Sequence, residues 1–178
     1  PIIRSGECPS FHKMGEYSFQ DLCRDLFEAE PGIAVCEGYG TRGQRQNGID
    51  LLAHRQDGNG VEVGQCKCYE QISPADISSV SDEFLRHWEG HWSRRNVKRF
   101  ILFVACDLSR REIQDEIVEQ SQRFRALGIA YEAWSKLRIR SKLQSQPPIV
   151  RTHLYPPDLW AQIICGTAPI SLPASSTR

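Results

Sequence analysis

Apolar positions recur along this chain in two rhythms, and the switches between them mark out its elements. Phe19, Leu22, Cys23, Leu26 and Phe27 fall at helical spacing on one face, with Ser18 before them as a cap and Pro31-Gly32 as the stop. Ile33 to Cys36 is a short apolar run that reads as a strand. Gly38 to Gly48 holds four glycines and almost no apolar residue, which makes it a loop. Asp57-Gly58-Asn59-Gly60 is a hairpin-turn signal, flanked by strands at Ile49 to His54 and Val61 to Tyr69.

Ser73-Pro74 opens a second helix with cap and proline in their preferred order, and Ile77, Val80, Phe84 and Trp88 form its inward stripe. Phe100 to Ala105 is continuously apolar, as suits a central strand covered on both faces. A third helix is predicted from Arg110 to Leu127, with Ile113, Ile117, Phe124 and Leu127 inward and Gly128 at its end. Ile129 to Trp134 reads as a strand, and a short basic helix follows around Leu137 to Leu143. Pro147-Pro148 and Pro156-Pro157 read as breaks, with a last short helix over Asp158 to Cys165. Helix, strand, hairpin, helix, strand, helix, strand is the order of an α/β sandwich around a mixed sheet. The expected organisation is an irregular segment at 1–17, a folded unit at 18–165 and a linker-like tail at 166–178, rich in Ser, Thr, Pro and Ala. Such a tail suits one module joined to a longer protein.

Composition narrows this picture only a little. The 178 residues are 40% hydrophobic and 25% charged, ordinary values for one domain. Net charge is zero, so a nucleic-acid partner must be met by local clusters of basic residues. The seven cysteines are odd in number and include no Cys-x-x-Cys pair. With no secretory leader and no apolar run that could span a bilayer, they suggest buried thiols in a reducing cytoplasm, and no membrane partner. Cys66-x-Cys68 lacks the second pair a structural zinc site needs.

Chemistry concentrates on the hairpin. Gln65 and Lys67 are two apart on one strand, so both side chains leave the same face, and the hairpin brings Asp50 alongside on the neighbouring strand. An acid, an amide and an amine at one sheet edge is a set that suits phosphodiester cleavage. A hard cation such as Mg²⁺, with Mn²⁺ as a substitute, takes oxygen ligands and lowers the pKa of a bound water. Asp50, the Gln65 side-chain oxygen and the backbone carbonyl of Cys66 are the candidate ligands, while Lys67 can orient the water or hold the phosphate. The plain alternative is a surface hairpin with a solvated lysine. Against it, Gln65 and Lys67 continue the face begun by Val61 and Val63, and a strand lysine among Val and Cys is unusual unless it is paired.

Gly48-Ile49-Asp50, the hairpin and Gln65-Cys66-Lys67-Cys68-Tyr69 resemble the active-site core of the PD-(D/E)xK nuclease superfamily, most closely its Mrr-like restriction endonuclease branch, in which a Gln-x-Lys variant occurs. The resemblance covers residues 18 to 145 and implies a restriction-endonuclease-like α/β/α sandwich. Asp50 then matches the metal-binding Asp, Gln65 the second ligand position and Lys67 the catalytic Lys. A glutamate of the first helix often completes such sites, but the matching position here is Gln20. With Gln at both positions, the expected outcomes are weak Mg²⁺ binding, use of Glu28 or Glu37 instead, or a site that needs assembly to become competent; Glu62, on the opposite strand face, is discounted. The glycine-rich approach Gly43-Gln44-Arg45-Gln46-Asn47-Gly48 is similar to nuclease effector domains of bacterial antiphage proteins.

Arg42 and Arg45, in the loop leading to Asp50, and Arg94 and Arg95, in the basic and aromatic segment Arg86 to Arg99, are the candidate DNA contacts. For that segment the competing reading is a solvated helix end with Trp88 packed inside. His87 and His91 are four apart but lack a third ligand, and Lys136, Arg138, Arg140 and Lys142 decorate a surface helix. The expected activity is hydrolysis of double-stranded DNA by an effector module that oligomerisation or further domains switch on. The runner-up is a nucleic-acid-binding module that keeps the nuclease fold without catalysis.

Overall fold

The computed structural model describes residues 6–41, 44 and 46–167. Its elements run α1 (Glu16–Glu28), β1 (Ile33–Gly38), β2 (Leu51–Arg55), β3 (Val61–Lys67), α2 (Pro74–Arg86), β4 (Val97–Val104), α3 (Arg111–Arg125), β5 (Ala130–Trp134), α4 (Lys136–Leu143), α5 (Pro147–His153) and α6 (Pro157–Cys165). Short 3-10 turns occur at Phe11–Lys13 and Trp92–Arg94. The candidate contacts Arg42 and Arg45 lie outside the described residues.

The five strands stand in chain order. β1–β2 and β2–β3 pair antiparallel, as the hairpin requires, whereas β3–β4 and β4–β5 pair parallel through helical crossovers. The sheet is therefore mixed. Period two sorts its side chains into two buried cores. Leu51, Ala53, Ile101 and Phe103 meet α1, α4, α5 and α6 on one face, while Val63, Phe100 and Leu102 meet α2 and α3 on the other. From Phe100 to Val104 β4 is buried on both faces, which is why that stretch is an unbroken apolar run.

Local chemistry explains the helix boundaries. Ser73 caps α2 by accepting from the Asp76 backbone N–H while the Asp76 carboxylate accepts from the Ser73 N–H, and Pro74 occupies the first turn. Three boundaries differ from the sequence reading. α1 begins ahead of Ser18, because Gly15 takes the cap position at φ 86° and Glu16 puts a favourable charge on the helix start. Pro147-Pro148 opens α5 instead of breaking the chain, since a first-turn proline gives up no helical hydrogen bond. α3 ends at Arg125, so Leu127 falls outside its inward stripe and is 36% exposed. Trp88 likewise lies past the end of α2, half-buried against the Ile77–Phe84 core.

All seven cysteines are free thiols, and burial pushes Cys36 up to about 12. Among the described residues no helix is long and apolar enough to cross a membrane.

Candidate active site

Asp50 is held where β2 begins by three backbone bonds. Its N–H donates to the Gly64 carbonyl at 2.8 Å, its carbonyl accepts from the Tyr39 N–H at 2.7 Å, and its Oδ2 accepts from the Cys66 N–H at 2.8 Å. Two glycines make this approach possible. Gly48 sits at φ 79°, and a Cβ there would come within 2.6 Å of the Phe84 backbone, so helix α2 packs directly on the segment leading to Asp50. A Cβ on Gly64 would meet the Phe103 ring at 2.8 Å. The buried Trp92 fastens the same segment from another side, its Nε1–H donating to the Asn47 carbonyl at 2.9 Å.

On β3, Gln65 and Lys67 leave the sheet on the side of Val63, and Gly64 and Cys66 on the side of α1. The two polar side chains meet Asp50 in a cleft of about 760 Å³, with Gln20 and Glu16 of α1 and Glu83 of α2 also in its wall. Asp50 and Gln65 are each only 8% exposed. The Gln65 Oε1 is buried without a hydrogen-bond partner among the described residues. The Lys67 ammonium lies 5.9 Å over the Tyr69 ring and makes no ion pair among the described residues. Burial pushes the Asp50 carboxyl above its ordinary value; the Cys66 N–H and Lys67 oppose the rise, and Glu83 and Glu16 add to it. On a strand, N–H and C=O of one residue point the same way, so the Cys66 carbonyl faces the side on which Asp50 stands.

The other residues singled out in the sequence separate clearly. Gln20 lines the cleft. Glu28 does not, because its carboxylate turns back to accept the Cys36 N–H at 2.9 Å; Glu37 is exposed on β1 and is also absent from the cleft wall. Glu62 is buried in ion pairs with Arg55 at 2.8 Å and Arg99 at 2.6 Å, far along β3 from Lys67. Arg94 and Arg95 are exposed, and Arg95 lies 5.9 Å over the Trp92 ring. His91 bonds the Tyr39 hydroxyl at 2.9 Å. Glu16 and Glu83 escaped the sequence reading, since nothing in local spacing ties either helix to the hairpin. The one available signal was an acid in the last turn of α2, a poor position for it.

Among the described residues no group of three or more His, Cys, Asp or Glu could hold a metal ion. A cation held in this cleft must therefore draw on amide and carbonyl oxygens beside Asp50. The donors fit that demand. Gln65 Oε1 is a buried acceptor with no donor among the described residues, and Asp50 is a carboxylate buried at a cost that a cation would offset.

A mixed sheet between two helical layers, with Asp and Gln-x-Lys converging where β2 and β3 meet, defines a restriction-endonuclease-like nuclease of the PD-(D/E)xK kind. The chain belongs to the Mrr catalytic-domain family, Restriction endonuclease, which matches residues 11–121 and so spans Asp50, Gln65, Lys67 and Glu83. It is thus a nuclease, a hydrolase whose family acts on DNA and generally uses divalent metal ions. No curated protein and no solved structure matches it.

Proposed function

We propose that this domain is a Mg²⁺-dependent endonuclease, with Mn²⁺ as an effective substitute, that cuts double-stranded DNA. The observation that carries the reading is the Gln65 Oε1, without a partner among the described residues, in the same cleft as buried Asp50 and a Lys67 that has no ion pair among them. Asp50 would hold the cation together with Gln65 Oε1 and the Cys66 carbonyl, and Gln20 would border the site from α1. The bound cation supplies charge neutralisation at the phosphate and a water of lowered pKa. Lys67 acts as a point charge that orients the attacking water and steadies the phosphate. The hydrogen bond from Cys66 N–H keeps Asp50 aimed at the cleft and favours its charged form. Arg42 and Arg45 on the approach loop, with Arg94 and Arg95 beside Trp92, would grip the phosphate backbone without reading its sequence.

In the cell we assign the domain to the cytoplasm, as the effector module of a larger bacterial defence protein. Self-association or the companion domains would raise its activity. Glutamine at both Gln20 and Gln65 suits such conditional activity, because a neutral amide oxygen holds a cation less tightly than a carboxylate does.

The test is incubation of the purified chain with supercoiled plasmid and Mg²⁺, Mn²⁺ or EDTA, at low and high protein concentration. Nicking and linearisation with either metal, abolished by EDTA and steeper than linear in protein, is the expected result. DNA binding without any metal-dependent cleavage would instead favour a non-catalytic nucleic-acid-binding module.

A further inference from the structure

The three acids of α2 have different circumstances. Asp76 closes the capping box at the helix start, where the backbone N–H groups welcome a negative charge. Asp82 pairs with Arg123 at 2.8 Å. Glu83 has no hydrogen-bond or ion-pair partner among the described residues, and it stands in the last turn, where the helix dipole opposes an anion. Nothing in local stability accounts for a carboxylate there.

Tertiary packing does account for it. The backbone of Glu83 and Phe84 lies against Gly48, with the Glu83 carbonyl carbon within 2.9 Å of where a Gly48 Cβ would be. Gly48 is two residues from Asp50, so α2 is locked to the segment carrying the buried carboxylate. Glu83 lines the same cleft as Asp50 and Gln65. Its charge is also near enough to act on Asp50, more strongly than that of Glu16. Glu16 has a sufficient structural reason for its place, at the favourable start of α1. Glu83 has none.

We infer that Glu83 is the second carboxylate of the divalent-cation site, supplied from α2 and standing in for the carboxylates that Gln20 and Gln65 do not provide. The inference rests on the metal-dependent reading above. With Asp50 and the neutral oxygens of Gln65 and Cys66 it makes a hard, all-oxygen donor set carrying two negative charges, matched to Mg²⁺ or Mn²⁺. The Glu83 charge opposes ionisation of Asp50, a repulsion that a cation between the two would offset.

Calorimetric titration of the full chain with Mn²⁺ alone tests this on wild type, Asp50→Asn, Glu83→Gln and Glu16→Gln. Glu83→Gln is expected to weaken Mn²⁺ binding by about tenfold or more, at least what loss of an outer-shell partner costs. Glu16→Gln should weaken it much less, since Glu16 is only a more distant charge on the same cleft. In the absence of metal, Glu83→Gln should melt no lower than wild type, because Glu83 has no partner to lose. Equal Mn²⁺ affinity in wild type and Glu83→Gln, with binding lost in Asp50→Asn, would overturn the role of Glu83 while leaving the metal-dependent reading intact. Equal losses in Glu83→Gln and Glu16→Gln would overturn it in favour of diffuse electrostatics, and a clear drop in metal-free melting would mean a structural duty for Glu83. A wild-type chain that takes up no Mn²⁺ would remove both readings together.

Discussion

Strand β3 carries buried polar side chains at both ends, and the two ends treat them differently. At the Glu62 end every charge is matched: Glu62 accepts from Arg55 and Arg99, Arg99 reaches Glu30 at 3.2 Å and Glu132 at 3.5 Å, and Lys142 reaches Glu30 at 2.6 Å. At the Gln65 end the Gln65 oxygen has no partner and Lys67 has no ion pair among the described residues, although Gln65 is nearly as buried as Glu62. Buried charge is costly unless paired, so a fold that pairs its charges fully at one end has the means to do so at the other. The open valences at the Gln65 end are what a ligand site requires.

The contrast breaks most sharply at Lys67. Lys67→Ala should lower plasmid cleavage by about 10²–10³-fold, the cost of removing one preorganised charge-stabilising group, with the melting midpoint unchanged. Full cleavage by that variant would mean that the unpaired end is idle. At the matched end the reverse pattern is expected. Glu62→Gln leaves Arg99 short of its nearest partner and should cost about 3 kcal/mol in denaturant unfolding, while cleavage per folded molecule holds. A variant as stable as wild type would show the network to be ornamental. The smallest effect separates the two ends by pH. Burial raises the Asp50 carboxyl above its ordinary value, so its contribution to stability is fully present below the unfolded value of about 3.9 and is lost as pH rises through the higher folded one. Without metal, Asp50→Asn should therefore match wild type in acid and melt higher at neutral pH. Melting curves whose difference stays flat across that range would sink the claim that burial governs Asp50.

Much of this was legible in the residues themselves. Asp57-Gly58-Asn59-Gly60 announced the hairpin, and the alternation Val61, Val63, Gln65, Lys67 placed two polar groups on one face before any coordinates. Ser73-Pro74 marked the start of α2 because cap chemistry is local. What escaped was set by contacts distant in sequence. Glu83 reaches the cleft only because Gly48 lets α2 touch the approach to Asp50, and no local period encodes that touch. The tryptophan-rich segment read ambiguously for the same reason: Trp92 is interior and fastens Asn47, whereas Arg94 and Arg95 beside it face solvent. The prolines misled because their meaning depends on position. At 147–148 they begin a helix that a central proline would have ended.

Alternation along β3 also limits how this cleft can change. Deleting one residue between Val61 and Gln65 would turn Lys67 toward α1 and send Cys66 into the position facing the cleft, inverting the strand. Between the hairpin and Lys67, length is therefore invariant in practice. The cleft can be retuned by exchanging side chains or by lengthening loops beyond the sheet, but the strand bearing Gln65 and Lys67 admits no insertions.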